Sequence, residues 1–62
     1  MDLKQEINNS KYNIRNYKKM LEISSDEEER NHLYYQIRQE EIKLESFELL
    51  LSLSEKLRGK YE

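Results

Sequence analysis

Between Met1 and Arg58 the chain contains neither proline nor glycine; its one glycine is Gly59. Nothing in that stretch breaks a helix. Val and Thr are also absent, which removes two common strand formers. The large apolar residues are Leu and Ile with five Tyr, two Met and one Phe. An all-α fold is expected.

A chain of 62 residues is at most one domain, and it buries too little surface to be amply stable alone. It has no Cys and a single His, so neither disulfides nor a structural zinc site is expected. Association is the remaining route to extra stability. No signal peptide is visible, and the longest apolar run, Leu49-Leu50-Leu51, is far too short for a bilayer. The protein is expected to be cytoplasmic. Abundant Lys, Asn, Ile, Tyr and Glu with no Ala, Pro or Trp points to AT-rich coding, as in a low-GC bacterium or its phage.

The first helix is expected over about residues 3–23. Leu3, Ile7, Ser10, Ile14, Tyr17 and Leu21 alternate at spacings of four and three, a heptad seam weakened only by Ser10. The run Ser24-Ser25-Asp26-Glu27-Glu28-Glu29 is the boundary. Either serine fits an N-cap, with Glu28 or Glu27 completing a capping box. The acids fall where the helix dipole favours negative charge. A metal role for them is not needed to explain them. The second helix is expected over about residues 26–58, with Gly59 placed to end it. A turn at residues 24–25 leaves the helices no choice but to lie antiparallel.

On a wheel of about 100° per residue the second helix has two apolar faces. Leu33, Ile37, Leu44, Phe47 and Leu51 share one. Tyr35, Ile42, Leu49, Leu50, Leu53 and Leu57 lie roughly opposite. Hairpin geometry sets the first face against the seam: Leu33 by Ile14 and Tyr17, Ile37 by Ser10 and Ile14, Leu44 by Leu3 and Ile7. Helix 1 then runs out near position 46. The remaining FELLLSLSEKL stretch, Phe47 to Leu57, overhangs by about 18 Å and carries six large apolar residues in eleven positions. Each such side chain left exposed forgoes about 1.5–3 kcal/mol. Phe47, Leu49, Leu50, Leu51, Leu53 and Leu57 are therefore the expected self-association residues, in a homodimer forming a four-helix bundle.

Other constellations are weaker. His32, beside Glu28, Glu29, Tyr35 and Gln36, has the neighbours any acidic helix offers. Glu6-x-x-Asn9, Glu28-x-x-Asn31 and Gln36-x-x-Gln39 are pairs of a kind that can orient a water. The expected architecture resembles the small helical-hairpin aspartyl phosphatases that control sporulation in bacilli. Their second helix carries Ser-Gln-x-Leu-Asp. The corresponding segment here, Tyr34-Tyr35-Gln36-Ile37-Arg38-Gln39-Glu40-Glu41, lacks that motif, so no residue role is carried over. Lys4, Lys11, Arg15 and Lys18 form a basic stripe on helix 1. It could follow nucleic-acid phosphates, with Tyr12 or Tyr17 stacking on bases. The simpler expectation is pairing with Glu40, Glu41, Glu45 or Glu48 across the hairpin. Net charge is −2, and no helix-turn-helix pattern is present. Tyr12, Tyr34 and Tyr35 are expected partner contacts. Tyr12, Met20 and Ile23 form a second small apolar patch. No catalytic pocket and no cofactor motif is discernible. The reading is a non-enzymatic interaction module, a regulator, inhibitor or adaptor of a larger protein. A nucleic-acid-binding accessory protein is the alternative, and a phosphatase a remoter one.

Overall fold

The computed structural model describes residues 2–61, with side-chain environments for residues 2–58. Two helices pack against each other as a hairpin: α1, Leu3–Ile23, and the longer α2, Glu27–Tyr61. The greatest dimension is 54 Å, close to the roughly 52 Å expected of α2 alone at about 1.5 Å per residue.

Asp2 caps α1. It has extended backbone, and its Oδ1 accepts from the N–H of Lys4 at 3.1 Å and of Gln5 at 3.4 Å. These are donors that the helix itself leaves without acceptors. The helix ends at Ser24, whose backbone turns extended and whose N–H donates to the Met20 carbonyl at 3.0 Å.

Asp26, rather than Ser24 or Ser25, caps α2. Its Oδ1 accepts from the Glu28 N–H at 3.3 Å, and its carbonyl accepts from the Arg30 N–H at 2.9 Å. The reason lies in the turn. Ser24 already terminates α1, and its Oγ is buried without a hydrogen-bond partner. The connection therefore needs Ser25 as a link, and the cap passes to the next residue able to accept. Asp26 also adds a negative charge where the dipole favours it. At the other end, Gly59 does not stop α2, which continues to Tyr61. One glycine costs a helix only about 1 kcal/mol relative to alanine.

The core is thin. Ile7 of α1 and Leu33 and Ile37 of α2 are its buried aliphatic residues, joined by Ser10 and Glu40. Leu3, Ile14, Tyr17 and Leu21 of α1 and Leu44, Phe47 and Leu51 of α2 are half-buried around them. The whole α1 seam and the whole first face of α2 thus point inward. No large side chain among the described residues is fully buried, since two helices alone leave both sides of their seam open to water.

Two polar residues sit in this seam. Ser10 is 3% exposed. Counting outward from Ser25 brings it level with Glu40. The Glu40 Oε1 lies 3.4 Å from Lys43 Nζ, one turn along α2, while its Oε2 is buried with no partner. Glu40 stands on the inner face, seven positions after Leu33 and four before Leu44, and its ion pair runs to Lys43 within α2. Glu40 is therefore not a cross-hairpin partner of the basic stripe.

Candidate interaction surfaces

The outer face of α2 is uncovered along its length. Tyr35, Ile42, Leu49, Leu50, Leu53 and Leu57 are all exposed, Leu49 at 62% against 3% for Leu33 on the opposite side of the same helix. Their positions follow from the sequence: Tyr35, Ile42, Leu49 and Leu53 lie within about 20° of the point opposite Leu33, Leu57 about 60° and Leu50 about 80° round from it. Ile42, Leu49, Leu50, Leu53 and Leu57 span about 24 Å of helix, and the last four lie on the overhang. Leu49, Leu50, Leu53 and Leu57 form an apolar strip of the kind that marks an interaction site, with Ser46 separating it from Ile42.

The overhang is not apolar all round. Its inner face, continuing the line of the core, carries Leu51, Ser54, Glu55 and Arg58. With Asp2, Leu3 and Lys4 these line an open notch where α1 begins. Beyond Leu51 that face is polar and suits water. Among the residues expected to associate, Phe47 and Leu51 are half-buried on the hairpin side, whereas Leu49, Leu50, Leu53 and Leu57 are exposed. The uncovered surface is one stripe, not a collar.

Arg30 shapes the turn. Its Nη1 donates to the Leu21 carbonyl at 2.6 Å and to the Ser24 carbonyl at 3.1 Å. Its Nη2 donates to the Tyr34 hydroxyl at 3.3 Å, and the guanidinium carbon lies 5.9 Å from the centre of that ring. The last turn of α1 has no basic residue, so α2 supplies the cation that the negative end of the α1 dipole favours. Tyr34 is thereby held in place while staying 51% exposed. Tyr12 and Tyr35 are exposed too, and Met20 and Ile23 are exposed on α1.

Lys4, Lys11, Arg15 and Lys18 are exposed along α1. The last three, with Ile14, Lys19 and Glu22, line a shallow open groove. The expected pairing with Glu40, Glu41, Glu45 or Glu48 does not form. Among the described residues the ion pair within 4.0 Å is Lys43–Glu40, inside α2. Exposed Lys and Glu gain little from pairing, because the attraction in water barely offsets the lost side-chain freedom. The stripe is left as free positive charge.

His32, Glu28 and Asn31 are exposed on the first turns of α2. Among the described residues no group of three or more His, Asp or Glu side chains could hold a metal ion. Among the described residues no helix is long and apolar enough to cross a membrane.

Sequence reading singled out neither Asp2 nor Arg30, and it offered Glu40 as a partner for the basic stripe across the hairpin. Asp2 was legible as an acceptor just before the first periodic residue. Arg30 was signalled only indirectly, by an α1 C-terminus without a cation of its own. Compared with known proteins, the chain matches no family model, no curated protein and no solved structure.

Proposed function

We propose that this protein is a small interaction module of the cytoplasm that self-associates through the outer face of α2 and acts on a larger protein as a regulator, inhibitor or adaptor. The observation that carries the reading is the exposed strip of Ile42, Leu49, Leu50, Leu53 and Leu57, set opposite the face that α1 covers. A helix needs one apolar face to pack against one neighbour. The second face has a use only when something else covers it. The exposed Tyr12, Tyr34 and Tyr35 offer amphipathic contacts for the larger partner.

The test is the absolute mass in solution by light scattering, for the wild type and for Leu50→Glu plus Leu53→Glu. A wild-type dimer that becomes a folded monomer in the variant supports the reading. A wild-type monomer at all accessible concentrations overturns self-association.

The unpaired stripe Lys4, Lys11, Arg15 and Lys18 favours a second reading, a nucleic-acid-binding accessory protein. Cationic side chains along one helix can follow a phosphate backbone, releasing counterions and making binding steeply salt-dependent. A shift of duplex DNA or RNA at low salt, lost in Lys11→Glu plus Arg15→Glu, supports it. Absence of any shift at low salt removes it.

A further inference from the structure

We infer that the outer face of α2 pairs with the same face of a second copy in an antiparallel, two-fold arrangement centred near the level of Leu51, and that this builds a staggered layered dimer rather than a square bundle. The inference rests on the self-association proposed above and adds its geometry.

Three features on α2 select this geometry. The first is the position of the apolar residues. With the two-fold axis near Leu51, Leu49 of one copy meets Leu53 of the other, and Leu50 meets Leu50. Leu57 lies beside the aliphatic stem of Lys43. All four leucines, exposed in the isolated hairpin, are then covered in both copies.

The second is charge. When helices pack antiparallel, the same flank of each lies on the same side of the seam; when they pack parallel, opposite flanks meet. Glu45 and Lys56 both border the leucine strip on one flank, within about 20° of each other on the wheel. The antiparallel pair brings Glu45 of each copy level with Lys56 of the other. An in-register parallel pair instead puts the two Lys56 side chains on opposite sides of the seam, loses the Glu45–Lys56 pairs, and sets Arg38 against Lys43, two like-charge encounters counting both copies. All four side chains are exposed and free to take either role. The third is the helix dipole, which opposes parallel packing and favours antiparallel.

The layered form follows from the wheel. A square bundle needs each helix to show apolar faces about a quarter-turn apart. On α2 the covered face and the leucine strip are centred about 145° apart, nearer a half-turn than a quarter. Each α1 therefore remains on the far side of its own α2, and the two α2 helices form the middle layers. The polar inner face of the overhang, Ser54, Glu55 and Arg58, stays in water, as its composition suits.

The chain has no cysteine, so Gln39→Cys gives a single exposed site for a nitroxide label in the full-length protein. In the antiparallel dimer the two labels are about 24 residues apart along the axis, or about 36 Å. In a parallel in-register dimer they face each other across an interaxial distance of about 8–10 Å. Pulsed dipolar spectroscopy on material of known mass separates the cases. A dimer with a long distance, abolished together with the dimer mass by Leu50→Glu plus Leu53→Glu, is the expected result. A dimer with labels closer than about 20 Å overturns the antiparallel geometry and leaves self-association standing. A dimer that survives the leucine substitutions overturns the assignment to this face. A monomer overturns self-association itself. As a second measurement, Lys56→Glu is expected to weaken dimerisation about three- to tenfold and Glu45→Lys in the same chain to restore it. Absence of rescue removes the Glu45–Lys56 alignment.

Discussion

Arg30 Nη1 donates to the Leu21 carbonyl at 2.6 Å, joining the first turn of one helix to the last turn of the other. A second bond from the same nitrogen reaches the Ser24 carbonyl at 3.1 Å. One guanidinium thus supplies donors to the end of α1 and the start of the turn, which local backbone geometry leaves short of them.

Removing this clasp should loosen the hairpin without changing its buried apolar residues. Arg30→Ala is expected to lower stability by about 1–2 kcal/mol, because the carbonyls lose a charged donor but regain some water. Arg30→Lys should recover part of the loss, since an ammonium keeps the charge but not the planar fork. Urea denaturation followed by circular dichroism at one fixed protein concentration measures both. An Arg30→Ala chain as stable as wild type would show the clasp to be ornamental.

The cap of α2 belongs to Asp26, so substitution along the turn should be uneven. Asp26→Ala is expected to cost about 1 kcal/mol, and Asp26→Asn much less. Ser25→Ala, at a residue whose side chain caps nothing in the observed hydrogen bonds, should be close to neutral. If Ser25→Ala were the more damaging, the serine would be the true cap.

The two faces of α2 should respond differently to truncation. Leu33→Ala, at 3% exposure, should destabilise the hairpin by about 2–5 kcal/mol. Leu49→Ala should leave the monomer's stability nearly unchanged and reduce dimer mass at low concentration. Thermal melts and sedimentation velocity, run over a hundredfold range of concentration, separate the effects. Equal losses of monomer stability would contradict the two-face division.

Glu40 is a buried carboxylate with one oxygen lacking any partner. Replacing it with a similar-sized apolar side chain removes an uncompensated desolvation. Glu40→Leu is expected to stabilise the hairpin by about 1–3 kcal/mol. A loss of stability on this substitution, read from the same urea titration, would mean that the carboxylate is held by more than Lys43.

The legible parts of this protein are those that depend on near neighbours in the chain. Helical character follows from the missing breakers, and a two-helix hairpin from the short polar turn. The periodicity of Leu3, Ile7, Ser10, Ile14, Tyr17 and Leu21, and of Leu33, Ile37, Leu44, Phe47 and Leu51, picks out the inner faces because a helix repeats every 3.6 residues whatever surrounds it. The opposite strip of exposed apolar residues follows from the same geometry.

The rest was decided by how the two helices meet. Whether Ser24, Ser25 or Asp26 caps α2 depends on where α1 stops and how many residues the turn consumes. Arg30 finds Leu21 and Ser24 only once α1 ends within its reach. Glu40 stands on the inner face by its spacing from Leu33 and Leu44, but whether its carboxylate finds partners there depends on what packs at its level, and one of its oxygens has none. The basic stripe stays unpaired because solvated charges on two helices gain too little from meeting. Each of these outcomes turns on distances between residues far apart in the chain, and a one-dimensional pattern carries no such distances until packing sets them.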